Sequence, residues 1–239
     1  MTLKGIDVSH HQHPLGVDYG LLYNEGVRFA FIRSAYGTLD DKAFFGHVAK
    51  ALANKIQVGA YSFLHARHDI TTQAQKCAQL YEYMPLGCVL DVEQDGITSQ
   101  MVDLWVKIFL AATGSYPIIY TSHSMWLKCY GRQPNPHAEN CPLWVAHYTM
   151  PNQKVILPNG WKTYVFHQYT DKGVTLAHKA PLDFNTFNGD EGNLNELIRY
   201  RVGRKGSQLV SVPKIGSPSV SVLAAPINPV AFDAQEKKR

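Results

Sequence analysis

Cys88-Val89-Leu90-Asp91-Val92-Glu93 is an apolar run that turns acidic at its end. Side chains alternate between faces along a strand, so Asp91 and Glu93 point the same way, with Cα atoms ~6.6 Å apart. Taken alone, a D-x-E pair reads first as two solvated carboxylates; its surroundings decide otherwise. Working outward, short apolar runs alternate with helical patterns, the mark of parallel strands joined by crossover helices. Eight strands are predicted: Gly5–Ser9, Phe29–Ala35, Val58–Leu64, Cys88–Glu93, Pro117–Ser122, Leu143–Tyr148, Thr163–Tyr169 and Leu182–Phe187. Phe29-Ala30-Phe31-Ile32 is continuously apolar, as a strand buried on both faces requires.

Between these runs, Asp41 is placed to cap a helix with the stripe Phe44, Phe45, Val48 and Leu52. Asp69 precedes Ile70, Ala74, Cys77 and Tyr81, and Thr98 or Ser99 precedes Met101, Leu104, Trp105, Ile108 and Ala112, both at helical spacing. A short helix follows Asp18 and ends near Gly26. Beyond Ser122 the helical signal weakens, and 133–140 and 151–160 read as loops. The expected fold is α/β, an irregular (β/α) barrel of the TIM type with eight strands and an incomplete ring of helices. About 200 residues leave little room for eight full helices.

The chain has 239 residues, 45% hydrophobic and 18% charged, which suits one globular domain. The barrel is expected over 1–202. Residues 203–239, rich in Pro and Ser, are too few to bury a core of their own and read as a flexible tail. No apolar run approaches the ~20 residues that span a bilayer, so no stable membrane insertion is expected. The N-terminus lacks the apolar core of a secretory signal, which points to synthesis in a cytosol. Cys77, Cys88, Cys129 and Cys141 show no C-x-x-C spacing; Cys129 and Cys141 could bridge a loop, but free thiols suit a chain made in a cytosol. A net charge of +4 aids encounter with an anionic surface, yet lacks the concentrated basic footprint of a nucleic-acid binder.

Polar groups end four of the predicted strands: Asp7, with His10, His11 and Gln12 following; Asp91 and Glu93; Gln168 beside His167 and Tyr169; and Asp183. In a parallel barrel the strands' C-terminal ends share one face, so these groups can share one cleft. Paired acids at such a place suit glycosidic hydrolysis. Tyr61, Tyr120, Trp144, Tyr148 and Tyr169 could stack on sugars or fill the core. Histidines cluster at His10, His11 and His13 and at His65 and His68, but without metal-ligand spacing. No G-x-S-x-G elbow occurs.

In order, the segments Gly-Ile-Asp-Val-Ser (5–9), Phe-Ile-Arg-Ser-Ala-Tyr-Gly (31–37), Gly-Ala-Tyr-Ser-Phe (59–63), Leu-Asp-Val-Glu (90–93), Ile-Tyr-Thr-Ser (119–122), Leu-Trp-Val-Ala-His-Tyr (143–148), His-Gln-Tyr-Thr (167–170) and Leu-Asp-Phe-Asn (182–185) resemble glycoside hydrolase family 25, the muramidases of phage endolysins and of some bacterial and fungal lysozymes. The resemblance runs from about Gly5 to Asn195. It departs from the family at Arg33-Ser34-Ala35-Tyr36-Gly37, where many members carry a Lys-Ala-Thr-Glu-Gly type loop, and at His13-Pro14 after Gln12. It implies cleavage of the β-1,4 bond between N-acetylmuramic acid and N-acetylglucosamine of bacterial peptidoglycan, without cofactor or metal. Glu93 then matches the general acid, and Asp91, Asp7 and Asp183 the other active-site carboxylates; apart from the resemblance, Gln168 is a candidate sugar contact. Asp91 would stabilise the cationic transition state or orient the 2-acetamido group, and the assisted route is favoured because the substrate carries the acetamide. The implied setting is a monomeric phage endolysin, held in the host cytosol before release to the wall; a virion-associated enzyme would have the same sequence features. Two alternatives are a glycan-binding barrel without activity and a metal-dependent peptidoglycan amidase or deacetylase.

Overall fold

Side chains along the strands alternate between the lumen and the helix-facing side, and the sheet closes on itself. The computed structural model describes residues 2–202; the expected tail, 203–239, lies outside the described residues. Strands β1 (Leu3–Val8), β2 (Val27–Tyr36), β3 (Leu39–Asp40), β4 (Gln57–Phe63), β5 (Cys88–Asp91), β6 (Ile118–Ser122), β7 (Leu143–Ala146), β8 (Phe166–Gly173) and β9 (Leu182–Phe187) form one sheet. Its order is β1-β9-β8-β7-β6-β5-β4-β2, and a β1–β2 pairing closes a barrel of eight. The two-residue β3 hangs on the end of β2 as a hairpin.

Helices α1 (Tyr19–Asn24), α2 (Phe44–Ala53), α3 (Ile70–Leu80), α4 (Ser99–Thr113) and α5 (His123–Tyr130) cover one part of the barrel, and α6 (Glu191–Val202) follows β9. No helix stands between β7 and β8, or between β8 and β9, among the described residues. Asp18, Asp69 and Thr98 accept the backbone N–H groups of Leu21, Thr72 and Met101, as their positions predict. Helix α5, which the sequence pattern did not reveal, is capped by Ser122.

Two expectations are corrected here. The last strand is not parallel: β9 runs antiparallel to both β8 and β1. Only 174–181 connect β8 to β9, and a parallel return needs about a dozen residues. Helix α2 also presents another face. Phe45 is 68% exposed and Leu52 45%, whereas Phe44, His47 and Ala51 are buried. The His47 ring turns inward to meet the Tyr19 hydroxyl at 2.9 Å, and the helix starts after Ala43, whose N–H is taken by Asp41 Oδ1 while Asp41 Oδ2 is held by Arg33.

Outward residues such as Ile6, Val8, Ala30, Ile32, Leu90 and Val92 belong to the packed layer shared with the helices. Inward residues Phe29, Phe31, Val89, Ile118, Trp144, Phe166 and Phe187 fill the lumen. Glycine makes room for those rings: a Cβ at Gly5 would lie 2.3 Å from the Phe29 ring, and one at Gly59 2.5 Å from that of Phe31. The aromatic plug fills one end of the barrel and leaves the other to polar side chains. All four cysteines are free.

Candidate active site

One pleat beyond the plug, the inward positions become polar. Asp7 follows Gly5 on β1, Arg33 follows Phe31 on β2, Tyr61 follows Gly59 on β4, and Asp91 follows Val89 on β5. Tyr120 follows Ile118 on β6, and Gln168 follows Phe166 on β8. The reversal of β9 puts its first residues at the end where the other strands finish, so Asp183 pairs in register with Asp7 and Asn185 lies inward behind it. Period-two alternation around a closed barrel therefore assembles this ring from remote segments.

Hydrogen bonds tie the ring together. Asp7 Oδ2 accepts from Asn185 Nδ2 at 2.7 Å and from Gln168 Nε2 at 2.9 Å. Gln168 Oε1 accepts from the Tyr120 hydroxyl at 2.8 Å, and Asn185 Oδ1 from Trp144 Nε1 at 2.8 Å. Asp91, 2% exposed, lies at the floor with Oδ1 unpartnered among the described residues. Asp183 is half-buried, and Glu93 opens to solvent at the rim.

Four acids around one mouth cannot all ionise at ordinary cost. Burial raises Asp7, although hydrogen bonds from Asn185 and Gln168 offset part of that rise. Asp91 is held well above the usual carboxylate range by burial, then by the charges of Glu93 and Asp7. Burial and the Asp7 charge push Asp183 up to about 8. Glu93 is raised too: although it opens to solvent, it stands in a concavity crowded by protein, and Asp7 adds like charge. Hydrogen bonding with Tyr120 and the Arg33 charge pull Glu93 partly back. Arg33, 7% exposed, is fixed by its Nε bond to Asp41 Oδ2 at 2.9 Å and also contacts His10 Nδ1. Burial alone would raise Asp41, but the His10 and Ala43 N–H groups and Arg33 hold it below its ordinary value.

The remaining expected site residues divide. Tyr61 faces inward beside the ring, and Tyr148, 58% exposed, stands at the rim. Trp144 is 2% exposed and stacks on Phe31 with centroids 4.4 Å apart, so its ring belongs to the plug and offers no free face to a sugar. Gln168 is buried between Asp7 and Tyr120, bridging them instead of standing free as a sugar contact. Tyr169 lies on the outer wall against Phe184, because adjacent strand positions face opposite ways. Sequence reasoning missed Arg33 and Asn185 as members of the ring. The available signal was parity: Arg33 shares the face of Phe29 and Phe31, and Asn185 that of Asp183.

Two grooves lead from the ring. One of about 590 Å³ extends from Glu93 and Tyr120 to Ser122, His147, Tyr148 and Ile156. Across the barrel, one of about 400 Å³ is lined by His10, His11, Arg33, Tyr36, Leu39 and Lys42. The rings of His10 and His11 lie 4.1 Å apart, as do those of His65 and His68. Among the described residues, no group of three or more His, Cys, Asp or Glu is arranged to hold a metal ion.

The family model described as glycosyl hydrolases family 25 matches residues 6–177. Lysozyme M1 of Streptomyces globisporus is 30% identical over 213 residues, covering 82% of this chain and 71% of its own. An N,O-diacetylmuramidase of Arthroderma benhamiae is 27% identical over 219 residues, covering 84% of this chain and 88% of its own. Among solved structures, the bacterial lysozyme of Streptomyces coelicolor superposes with a TM-score of 0.75 at 29% identity, covering 84% of this chain and 99% of its own.

Proposed function

We propose, from the premise that this chain belongs to glycosyl hydrolases family 25, that it is a muramidase cleaving the β-1,4 bond between N-acetylmuramic acid and N-acetylglucosamine in peptidoglycan. The observation that carries the reading is the pairing of a rim acid with a raised pKa, Glu93, and a buried carboxyl beneath it, Asp91. A group that holds its proton toward neutral pH can deliver it to a poor leaving group.

Glu93 protonates the glycosidic oxygen as the bond from the anomeric carbon breaks. The carbonyl oxygen of the 2-acetamido group attacks that carbon, forming a cyclic oxazolinium cation. With the proton on Glu93, the like charge that helps raise Asp91 is gone, and Asp91, ionised, accepts the acetamide N–H and stabilises the positive charge. Water, losing its proton to Glu93, then opens the ring with retention at the anomeric carbon. Burial of Asp91 at the floor supports this route over direct attack: little of its surface is available to reach a carbon, and its Oδ1 has a hydrogen bond still to be made among the described residues. Asp7 and Asp183 shape the charge of the mouth, with Gln168 and Asn185 holding Asp7 in place.

Digestion of purified peptidoglycan with mass analysis of the products tests the assignment. New reducing-end muramic acid supports it; reducing-end glucosamine or freed peptides refute it. The proposal extends to a monomeric enzyme released from a host cytosol in phage-driven lysis. No described helix is long and apolar enough to cross a membrane, so that setting needs a separate route to the wall. Expression with and without a membrane-permeabilising protein checks it: lysis in both cultures refutes the setting, and lysis only with the permeabiliser supports it. A monomer elutes at the volume expected for 26.8 kDa.

A further inference from the structure

The groove at the β1 and β2 loops differs electrostatically from the mouth it adjoins. Its two acids are already engaged. Asp41 Oδ2 takes Arg33 Nε at 2.9 Å and the His10 N–H at 3.0 Å, and its Oδ1 takes the Ala43 N–H at 3.0 Å. Asp40 pairs with Lys76 at 2.8 Å. Lys42 is exposed and has no ion-pair partner among the described residues. Beside it stand an apolar edge, Leu39 at 62% exposure, and Tyr36, whose ring stacks on Phe63 with centroids 4.7 Å apart and 17° between planes. Arg33, which lines this groove, is paired in register with Tyr61 of the ring, so the groove adjoins the mouth at that residue.

That contrast bears on the substrate, resting on the muramidase reading. A muramic acid unit differs from a glucosamine unit by a 3-O-lactyl group, a methyl-bearing arm that ends in a carboxylate or a peptide. Where the arm ends in a free carboxylate, whichever of the four acids is ionised repels it. In the groove over β6 and β7, Lys128 is already paired with Asp95 at 2.8 Å. We propose that the β1–β2 groove is the subsite for the lactyl arm of the muramic acid unit, with Lys42 as the specificity-determining cation and Tyr36 and Leu39 as the apolar wall for the methyl group. This provides a means of telling muramic acid from glucosamine wherever the lactyl arm ends in a free carboxylate.

The test compares two synthetic tetrasaccharides of alternating glucosamine and muramic acid, one with free lactyl carboxylates and one with their methyl esters. The full chain is expected to favour the acid in kcat/KM by about three- to five-fold, the scale of one exposed ion pair, and the preference should shrink in high salt. Lys42→Gln brings the acid-to-ester ratio close to one through KM, and Lys42→Arg restores it. An unchanged ratio in Lys42→Gln, or no preference in the wild type, overturns the subsite. If the wild type cleaves neither compound, the muramidase reading fails, and calorimetric titration with both compounds still decides the subsite. Tighter binding of the acid, lost in Lys42→Gln, supports it, and equal binding of the two by the wild type overturns it.

Discussion

Replacing Asp183 with Asn should produce a protein that is more stable and less active, by an amount that depends on pH. Asp183 faces Asp7 in register, and burial with the Asp7 charge lifts its pKa from an ordinary 3.8 to about 8. A raised folded-state pKa means that the native chain binds a proton the unfolded chain has released, so stability falls as pH rises from about 4 through about 8. Holding the proton at pH 7 costs about 4 kcal/mol, from the gap to 3.8 at ~1.4 kcal/mol per pH unit. Asparagine avoids that cost while keeping the shape. Part of the proton burden passes between Asp183 and Asp7, so the expected gain is about 2–4 kcal/mol at pH 7 and near zero at pH 4. Urea titrations from pH 4 to pH 8 read it directly: the midpoint of the variant should move up by ~1 M at neutral pH, with unchanged slope. A gain of equal size at every pH, or none at pH 7, would refute the reasoning, because the stabilisation would then have nothing to do with crowded acids.

Glu93→Gln should leave circular dichroism unchanged and cost no stability at neutral pH while lowering peptidoglycan turnover a hundredfold or more; near wild-type hydrolysis would remove Glu93 from the donor's role. Gly5→Ala drives a methyl group into the Phe29 ring and should cost ~1–3 kcal/mol, measured by denaturant unfolding, with partial recovery in the Gly5→Ala, Phe29→Leu double variant. Tyr169→Ala should lower thermal stability but leave kcat/KM of the folded protein within about twofold, since its ring packs on the outer wall; a large loss in kcat/KM would return Tyr169 to the cleft.

What the sequence revealed follows the range of the forces involved. Alternation is local, so Asp7, Asp91 and Glu93 could be placed from the few residues around them, as could the caps at Asp18, Asp69 and Thr98. Tyr169 went astray by proximity to Gln168 when parity placed it outside. The direction of β9 was also readable, in the shortness of 174–181, but was overridden by the expectation of an all-parallel barrel. Other features depend on partners distant in sequence. Nothing near Asn185 announces that it donates to Asp7 and accepts from Trp144. Phe45 and Leu52 fit a helical stripe as well as Phe44 does, and only the docking of His47 on Tyr19 sets which side turns inward.

The strand that begins the described chain, β1, sits between β2 and the last strand, β9, and its Asp7 is gripped by residues 161 and 178 positions downstream. A ribosome must therefore deliver almost the entire barrel before Asp7 acquires its hydrogen-bond donors. Until that late closure, a nascent or truncated chain holds Asp7 without Gln168 and Asn185, and the ring of polar groups is complete only with the final stave.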